Sequence, residues 1–328
     1  MSDLTWLDPL VQHFQLGDSG PPQPIQIGLI HQTWKLTTAQ GSFIAQRLHS
    51  IFDPAVTEDG QAISQWLRQQ GFPTPQFRRA RDGSLHLSWT EGLWRVMECL
   101  PGSCYRIPPH WGYLEQAGAA IGRLHQLLAQ FEYRFRFQIP HFHDTAHIWQ
   151  QLRCYSPPAE VQAEWEFLIN TVPTLFLPSG IPTQIIHGDL KFSNFLFDEQ
   201  GQFVGLLDLD TFMYHNLYIE LGDALRSWGK QGETVATEAI SAGLRGYAQT
   251  GNLRALQPQL ILQGMQLITL ELAMRFLQDW FEDSYWNWDP QRYPNRKAHN
   301  LARCRQQIGL YQALKTAAPH LLEAIYAL

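Results

Sequence analysis

Residues 187–211 read HGDLKFSNFLFDEQGQFVGLLDLDT. The runs "FLF" and "FVGLLDLD" are apolar enough for two short strands joined by the polar "DEQGQ", and a polar loop precedes them, so Asp189, Asn194, Asp208 and Asp210 fall within reach of one strand-turn-strand. Aspartate and asparagine are common in turns, and a lone D-x-x-x-x-N arises by chance in many chains. Here Asp189 and Asn194 hold that spacing, an apolar "LLD" follows, and "IIHGD" precedes. Phosphoryl transfer asks for such residue types, because the protein's share of that reaction is positioning and electrostatics. One carboxylate must accept a proton from the attacking hydroxyl, and Asp189 suits that role. Asn194 and Asp208 offer hard oxygen ligands for Mg2+. Lys191 can set a point charge against the transferring phosphate.

Upstream of this stretch the pattern is β-rich. Residues 25–49 alternate as a hairpin around Gln40 and Gly41, and a helix over residues 57–70 carries Ile63, Trp66 and Leu67 before Gly71 and Pro73 stop it. Two strand-like runs follow, "PQFRRARDGSLHLSW" and "LWRVMECLPG", giving the order β, β, α, β, β. That order predicts a small antiparallel sheet with one helix. After Pro101 and Gly102 the periodicity turns helical in "YLEQAGAAIGRLHQLLAQF", "EVQAEWEFLINTV", "ETVATEAISAGLRGYAQ" and residues 256–280. Composition therefore shifts near residue 100, and the chain shows neither an internal repeat nor a low-complexity tract.

The whole sequence bounds what such a protein meets. Its 328 residues, 45% hydrophobic, are enough for one large core or two medium ones. A net charge of −6 gives no footprint for a phosphate backbone, so nucleic acid is not an expected partner. Cys99, Cys104, Cys154 and Cys304 form no C-x-x-C pair and read as reduced thiols, and the N-terminal "MSDLTWLDPL" has no basic segment followed by an apolar run. A cytoplasmic location is the expectation. The most apolar region, "LILQGMQLITLELAMRFL", carries Gln263, Gln266, Glu271 and Arg275, so no membrane span is expected either.

"HGDLKFSN" followed by "GLLDLDT" resembles the aminoglycoside phosphotransferase and choline kinase superfamily, which has the protein-kinase-like fold. Within it the chain is similar to N-acetylhexosamine 1-kinases at "IHQTWKL", "FIAQRLH", "LDLDTFM", "LGDALR", "RFLQDW" and "HNLARCRQQIGL". The resemblance implies an α+β, two-lobed fold: residues 1–98 as a nucleotide-binding N-lobe with a five-stranded sheet, 99–104 as hinge, and 105–328 as a helical C-lobe carrying the catalytic loop and the acceptor site. It implies ATP and Mg2+ as cofactors, Asp189 as catalytic base, Asn194 and Asp208 as metal ligands, and backbone contacts to adenine around Glu98 and Leu100. In the nucleotide loop "QIGLIHQT" Gly28 stands without a G-x-G-x-x-G pattern. The strand that ends in a phosphate-binding Lys elsewhere in the superfamily reads "FIAQRL" here, so Gln46 takes that alignment with Arg47 beside it, and Glu58 is the one glutamate near the helix start. Arg47 can hold phosphate as a fork where Lys would be a point charge.

An acceptor pocket needs convergent polar groups on a rigid wall. Asp223 and Arg226 in "LGDALR" share a helix face and suit sugar hydroxyls, though an intrahelical ion pair explains them equally well. Asp210, two residues past Asp208 in the apparent strand, is expected on the same side as Asp208, facing metal or sugar. "DWFEDSYWNWDPQRY" offers an aromatic platform for a sugar ring, or plain core. "HFHDTAH" has the spacing of a transition-metal ligand set but no cysteine and no fourth group, while His125 reads as a core histidine and His187 as a support for the loop. The sum is a kinase acting on the hydroxyl of a small molecule, with the anomeric hydroxyl of an N-acetylhexosamine or related hexose as acceptor. The alternatives are an aminoglycoside, choline or amino-alcohol kinase, and a pseudokinase that binds nucleotide or sugar. Oligomeric state leaves no mark on the sequence.

Overall fold

A computed structural model describes residues 4–25, 31–89, 92–232 and 234–328. In chain order its elements begin with α1 (Leu7–His13), β1 (Gln23–Ile25), β2 (Gln32–Thr38), β3 (Gly41–Arg47), α2 (Ala55–Gln69), β4 (Leu87–Trp89), β5 (Gly92–Glu98), α3 (Trp111–Leu128) and α4 (Thr145–Arg153). They continue with α5 (Gln162–Thr171), β6 (Gln184–Ile186), β7 (Phe195–Phe197), β8 (Phe203–Leu206), β9 (Met213–His215), α6 (Leu217–Gly229), α7 (Thr237–Ala248), α8 (Pro258–Glu282) and α9 (Arg296–Tyr326).

The chain divides into two compact units. The first comprises Met1–Arg106, Gln130–Ile139 and Ser193–Phe212. Its five-stranded sheet runs β1-β2-β3-β5-β4, all neighbours antiparallel. Phe43 and Ala45 on β3, Leu36 on β2 and Trp94 and Val96 on β5 alternate inward and meet Trp6, Leu10 and Phe14 from the N-terminal segment and α1. Trp6 stacks on Trp94 with ring centres 4.4 Å apart. Helix α2 buries Val56, Ile63 and Leu67 at helical spacing and ends against Gly71, whose φ of +73° needs glycine. Of the strand-like run 75–89 only Leu87–Trp89 forms a strand. The earlier part touches the other end of β5 through one bridge, Phe77 to Met97, with Arg78 N–H donating to Val96 O at 2.7 Å.

The first unit also holds the hairpin of β7 and β8, which lies beyond the domain limits expected from sequence. Ser103 and Phe197 exchange both backbone hydrogen bonds, at 2.8 and 2.9 Å, and Leu206 N–H donates to Pro73 O at 3.0 Å. Those bonds tie a segment some hundred residues downstream to the β-rich part, which no local sequence pattern reveals.

The second unit comprises Ile107–Ala129, Pro140–Phe192 and Met213–Leu328. Its core gathers Leu152, Leu168, Ile219, Leu270, Met274, Leu277, Cys304 and Tyr311 from α4, α5, α6, α8 and α9. By length and composition α8 is apolar enough to cross a bilayer, yet 72% of its most apolar window is buried inside the protein. Helix α6 crosses α8 at Gly222 and Gly264: a Cβ on Gly222 would stand 2.5 Å from the Gly264 carbonyl carbon, so neither position admits a larger residue without movement. That crossing sets Glu220 of α6 against residues 187–188 and Glu271 of α8 against His143.

Candidate active site

The loop HGD leaves β6 in the second unit. Gly188 has φ +81°, a left-handed conformation that explains glycine between His187 and Asp189. The buried carboxylate of Glu220 accepts the N–H of His187 at 2.7 Å and of Gly188 at 2.8 Å. Burial alone would raise that carboxyl, but His125 beside it and the His187 N–H hold it below the usual carboxylate range. His187 Nδ1 accepts the Asp189 N–H at 3.3 Å, so this histidine supports the loop as its sequence position suggests. The Gly188 carbonyl accepts from His143 Nε2 at 2.7 Å, and Trp228 Nε1 donates to Leu190 O at 3.0 Å. Asp189 itself is half-buried and ion-paired with Lys191. The second unit thus presents a carboxylate on a loop whose backbone is tied down before and after it.

Asn194, Asp208 and Asp210 belong to the first unit. Asn194 is buried, and its backbone carbonyl accepts the Leu207 N–H at 2.8 Å, one residue before Asp208. Strand β8 ends at Leu206, so Asp208 and Asp210 lie past it in a turn, and Asp208 has φ +64°. A non-glycine residue held there marks a conformation imposed by its surroundings, and aspartate tolerates it better than most. This corrects the expectation that Asp208 and Asp210 face one side of a strand. Asp210 is instead buried with both oxygens engaged: Arg95 donates to Oδ1 at 2.7 Å and to Oδ2 at 2.6 Å, and His31 lies 2.8 Å from Oδ2. Burial alone would raise the Asp210 carboxyl, but the Arg95 guanidinium and His31 hold it far below the usual range. With this fork in place Asp210 anchors the turn to β5.

Arg95 stands opposite the β3 position where the superfamily carries its lysine. Gln46 on β3 is directly opposite Arg95 on β5, and its Oε1 accepts from Arg95 Nε at 3.0 Å and Nη2 at 2.7 Å. Gln46 and Arg47 are consecutive in the strand and leave it on opposite faces. Gln46 therefore shares the face of Arg95 and Asp210, whereas Arg47 lines a hollow of about 460 Å3 with Leu48, His49 and Phe52. Gln46 and Arg47, adjacent in sequence, thus point to different sides of the sheet. Arg95 pairs with Asp210 and not with Glu58, the glutamate near the start of α2. Its neighbour Asp59 is buried and accepts the N–H groups of Arg136 and Phe137 and the hydroxyl of Tyr133.

At the end of β5 Glu98 pairs with Arg68 at 2.6 Å, its N–H donates to Gln76 O, and the Cys99 N–H donates to Ser42 O. Gly28 lies outside the described residues. In the second unit Asp223 and Arg226 pair with each other across one turn of α6, and the buried Arg226 Nε has no hydrogen-bond partner among the described residues. The aromatic run that spans the end of α8 divides: Trp280 in the helix is core, Tyr285 beyond it is exposed, and the Asp279 carboxylate accepts the N–H groups of Ser284, Tyr285 and Trp286 to shape the loop. His141, Asp144 and His147 cluster, but the two imidazoles stack at 3.5 Å with planes 7° apart. Parallel rings share no in-plane point, so their lone pairs do not converge on an ion.

A comparison with known proteins decides the class. The model of the Phosphotransferase enzyme family matches residues 22–258, well over half of the chain. The chain belongs to this family. This phosphotransferase has the kinase-like fold of several solved structures. They include an amicoumacin kinase in complex with AMP-PNP, Ca2+ and Ami (20% identity, 94% of this chain and 93% of that one, TM-score 0.67). A microcompartment-associated aminopropanol kinase (15% identity, 97% and 98%, TM-score 0.67) and the choline kinase of Streptococcus pneumoniae (14% identity, 94% and 100%, TM-score 0.60) are also similar. The protein is therefore a small-molecule phosphotransferase acting on a hydroxyl acceptor.

Proposed function

We propose that this phosphotransferase moves the γ-phosphoryl group of MgATP to a sugar hydroxyl, with the anomeric hydroxyl of an N-acetylhexosamine as acceptor. The observation that carries the chemistry is the HGD loop, where Asp189 is the carboxylate on a backbone held by Glu220, His143 and His187. In the step, the acceptor oxygen forms a bond to the γ-phosphorus, its proton passes to an Asp189 carboxylate oxygen, and the bond to the β-phosphate oxygen breaks to leave ADP. Lys191, ion-paired with Asp189, sets positive charge beside that carboxylate. Asn194 and Asp208 supply an amide and a carboxylate, the oxygen donors that a hard divalent cation takes, and Mg2+ bound there would neutralise charge on the phosphates. Adenine would meet the backbone around Glu98 and Leu100; the N–H groups of Glu98 and Cys99 are engaged elsewhere, which favours the Leu100 N–H as the donor. ATP as donor is supported by the AMP-PNP bound to the similar amicoumacin kinase.

The sugar reading draws its support from the similarity to N-acetylhexosamine 1-kinases and from the buried Arg226 Nε, a donor still to be matched. A cationic acceptor is the second reading, supported by the likeness in fold to aminopropanol and choline kinases. One experiment separates them: ADP release from MgATP is measured over hexosamines, hexoses, amino alcohols and aminoglycosides. Turnover on N-acetylhexosamines, with the new phosphate coupled to the anomeric proton in NMR, is the expected result. Turnover on cationic acceptors alone would overturn the sugar assignment.

A further inference from the structure

His143 is a buried residue to which the sequence assigns no catalytic part. Its Nδ1 lies 3.0 Å from Glu271 Oε1, and its Nε2 lies 2.7 Å from the Gly188 carbonyl oxygen. A carbonyl has no proton to give, and the other Glu271 oxygen already accepts the Thr145 hydroxyl, as a carboxylate does. A neutral imidazole carries one N–H and can satisfy one of these acceptors. Two bonds need a second proton within the His143 and Glu271 pair, and loss of that proton sets a bare nitrogen against one of the oxygens.

The Gly188 carbonyl and the Asp189 N–H belong to one planar peptide unit. His143 holds the first and His187 Nδ1 the second. Gly188, at φ +81°, has the freest backbone in the loop, so the orientation of this plane depends on those two bonds. Asp189 projects from its far end.

We propose that His143 is a positioning residue for the phosphotransfer: as an imidazolium it bridges Glu271 to the Gly188 carbonyl and fixes the peptide plane from which Asp189 projects. This rests on the reading of Asp189 as proton acceptor. The charged and titratable groups around His143 are Glu271 from α8, with Arg275 acting on that carboxylate, Asp223 from α6, and His215 from β9, near which Glu220 also lies. Burial pushes the imidazole down, but the Glu271 carboxylate, Asp223 and the Gly188 carbonyl outweigh it and raise its pKa to about 9.

The test is NMR on the isotope-labelled full chain together with kinetics. At pH 7.5 both His143 ring nitrogens should be protonated, and the Gly188 carbonyl carbon shift should titrate with the imidazole. Glu271→Gln keeps the size and an acceptor oxygen but removes the charge, and should lower that midpoint by roughly one unit or more. The alkaline limb of kcat should move down with it, while KM for ATP stays within about twofold. The rate is read as ADP release from MgATP with N-acetylglucosamine, ethanolamine or water, whichever reacts fastest. His143→Leu should lower kcat on the order of 10- to 100-fold, and should cost less than about threefold in an Asp189→Asn background, where no base remains to be positioned. A neutral His143 at pH 7.5, a Gly188 carbonyl that does not respond, or a pH profile unmoved by Glu271→Gln would each overturn the inference. Full activity of Asp189→Asn would instead refute the reading of Asp189, whatever His143 does.

Discussion

Arg95 directs its guanidinium at Gln46 and Asp210, and its side chain is 2% exposed, so little water is available to replace either partner. Removing one member of such a buried pair leaves a charge uncompensated. Arg95→Met should destabilise the protein by about 3–5 kcal/mol in urea unfolding, and pairing it with Asp210→Leu should recover a large part of that loss. An Arg95→Met variant as stable as the parent would show that the fork contributes nothing. Asp189→Asn is the opposite case: a half-buried group whose loss should lower kcat about 10^2- to 10^4-fold while ATP affinity, read by calorimetry, stays nearly unchanged. At this scale Asp189, Asn194 and Asp208 could be picked out as candidates, because residue type and short spacing are local features of the chain. Arg95 with Asp210 and His143 with Glu271 could not be, since the partners stand 115 and 128 residues apart and meet only after folding.

Among elements, α6 has the largest share of the loop's support. Asn216 caps it by accepting the N–H groups of Tyr218 and Ile219, Glu220 reaches back to the HGD loop, and Trp228 reaches Leu190. Its depth against α8 is set by Gly222 and Gly264, where backbone meets backbone. Gly222→Ala should therefore cost roughly 1–3 kcal/mol of stability through overpacking, although alanine is the better helix former, and a Tm unchanged or raised would contradict the close crossing. The helix α9 shows how a readable signal can be passed over. Leu301, Cys304, Gln307, Leu310 and Leu314 recur at helical spacing and are buried, but Pro319 and many charged neighbours mask the stripe. Strand β8 misled in the other direction, since "FVGLLDLD" reads as one strand and stops at Leu206, where the chain turns through a left-handed Asp208.

For the molecule as a whole, buried ion pairs shape the dependence of stability on pH. Asp210, Glu220, Glu271 and Asp279 are carboxylates with folded pKa values below their ordinary ones, so their contribution is present above about pH 4 and is lost as pH falls through the folded values. His143 has the reverse sign. Raised from 6.5 to about 9, it contributes fully below about pH 6.5 and loses about 3 kcal/mol as pH rises through 9. Thermal unfolding should show highest stability between about pH 5 and 7, with an alkaline decline that Glu271→Gln displaces to lower pH. A stability curve flat from pH 7 to 10 would refute this assignment. The β-rich first part and helical remainder could be anticipated because period 2 and period 3.6 are local properties of the chain. So could the reaction class, because the residues of the catalytic loop are close neighbours in sequence. The tertiary structure alone decided that residues 193–212 belong with the first unit, that Asp210 anchors a turn, and that His143 holds the Gly188 carbonyl. Each of those depends on a hydrogen bond or ion pair between segments remote in sequence, and such a pairing has no period to read.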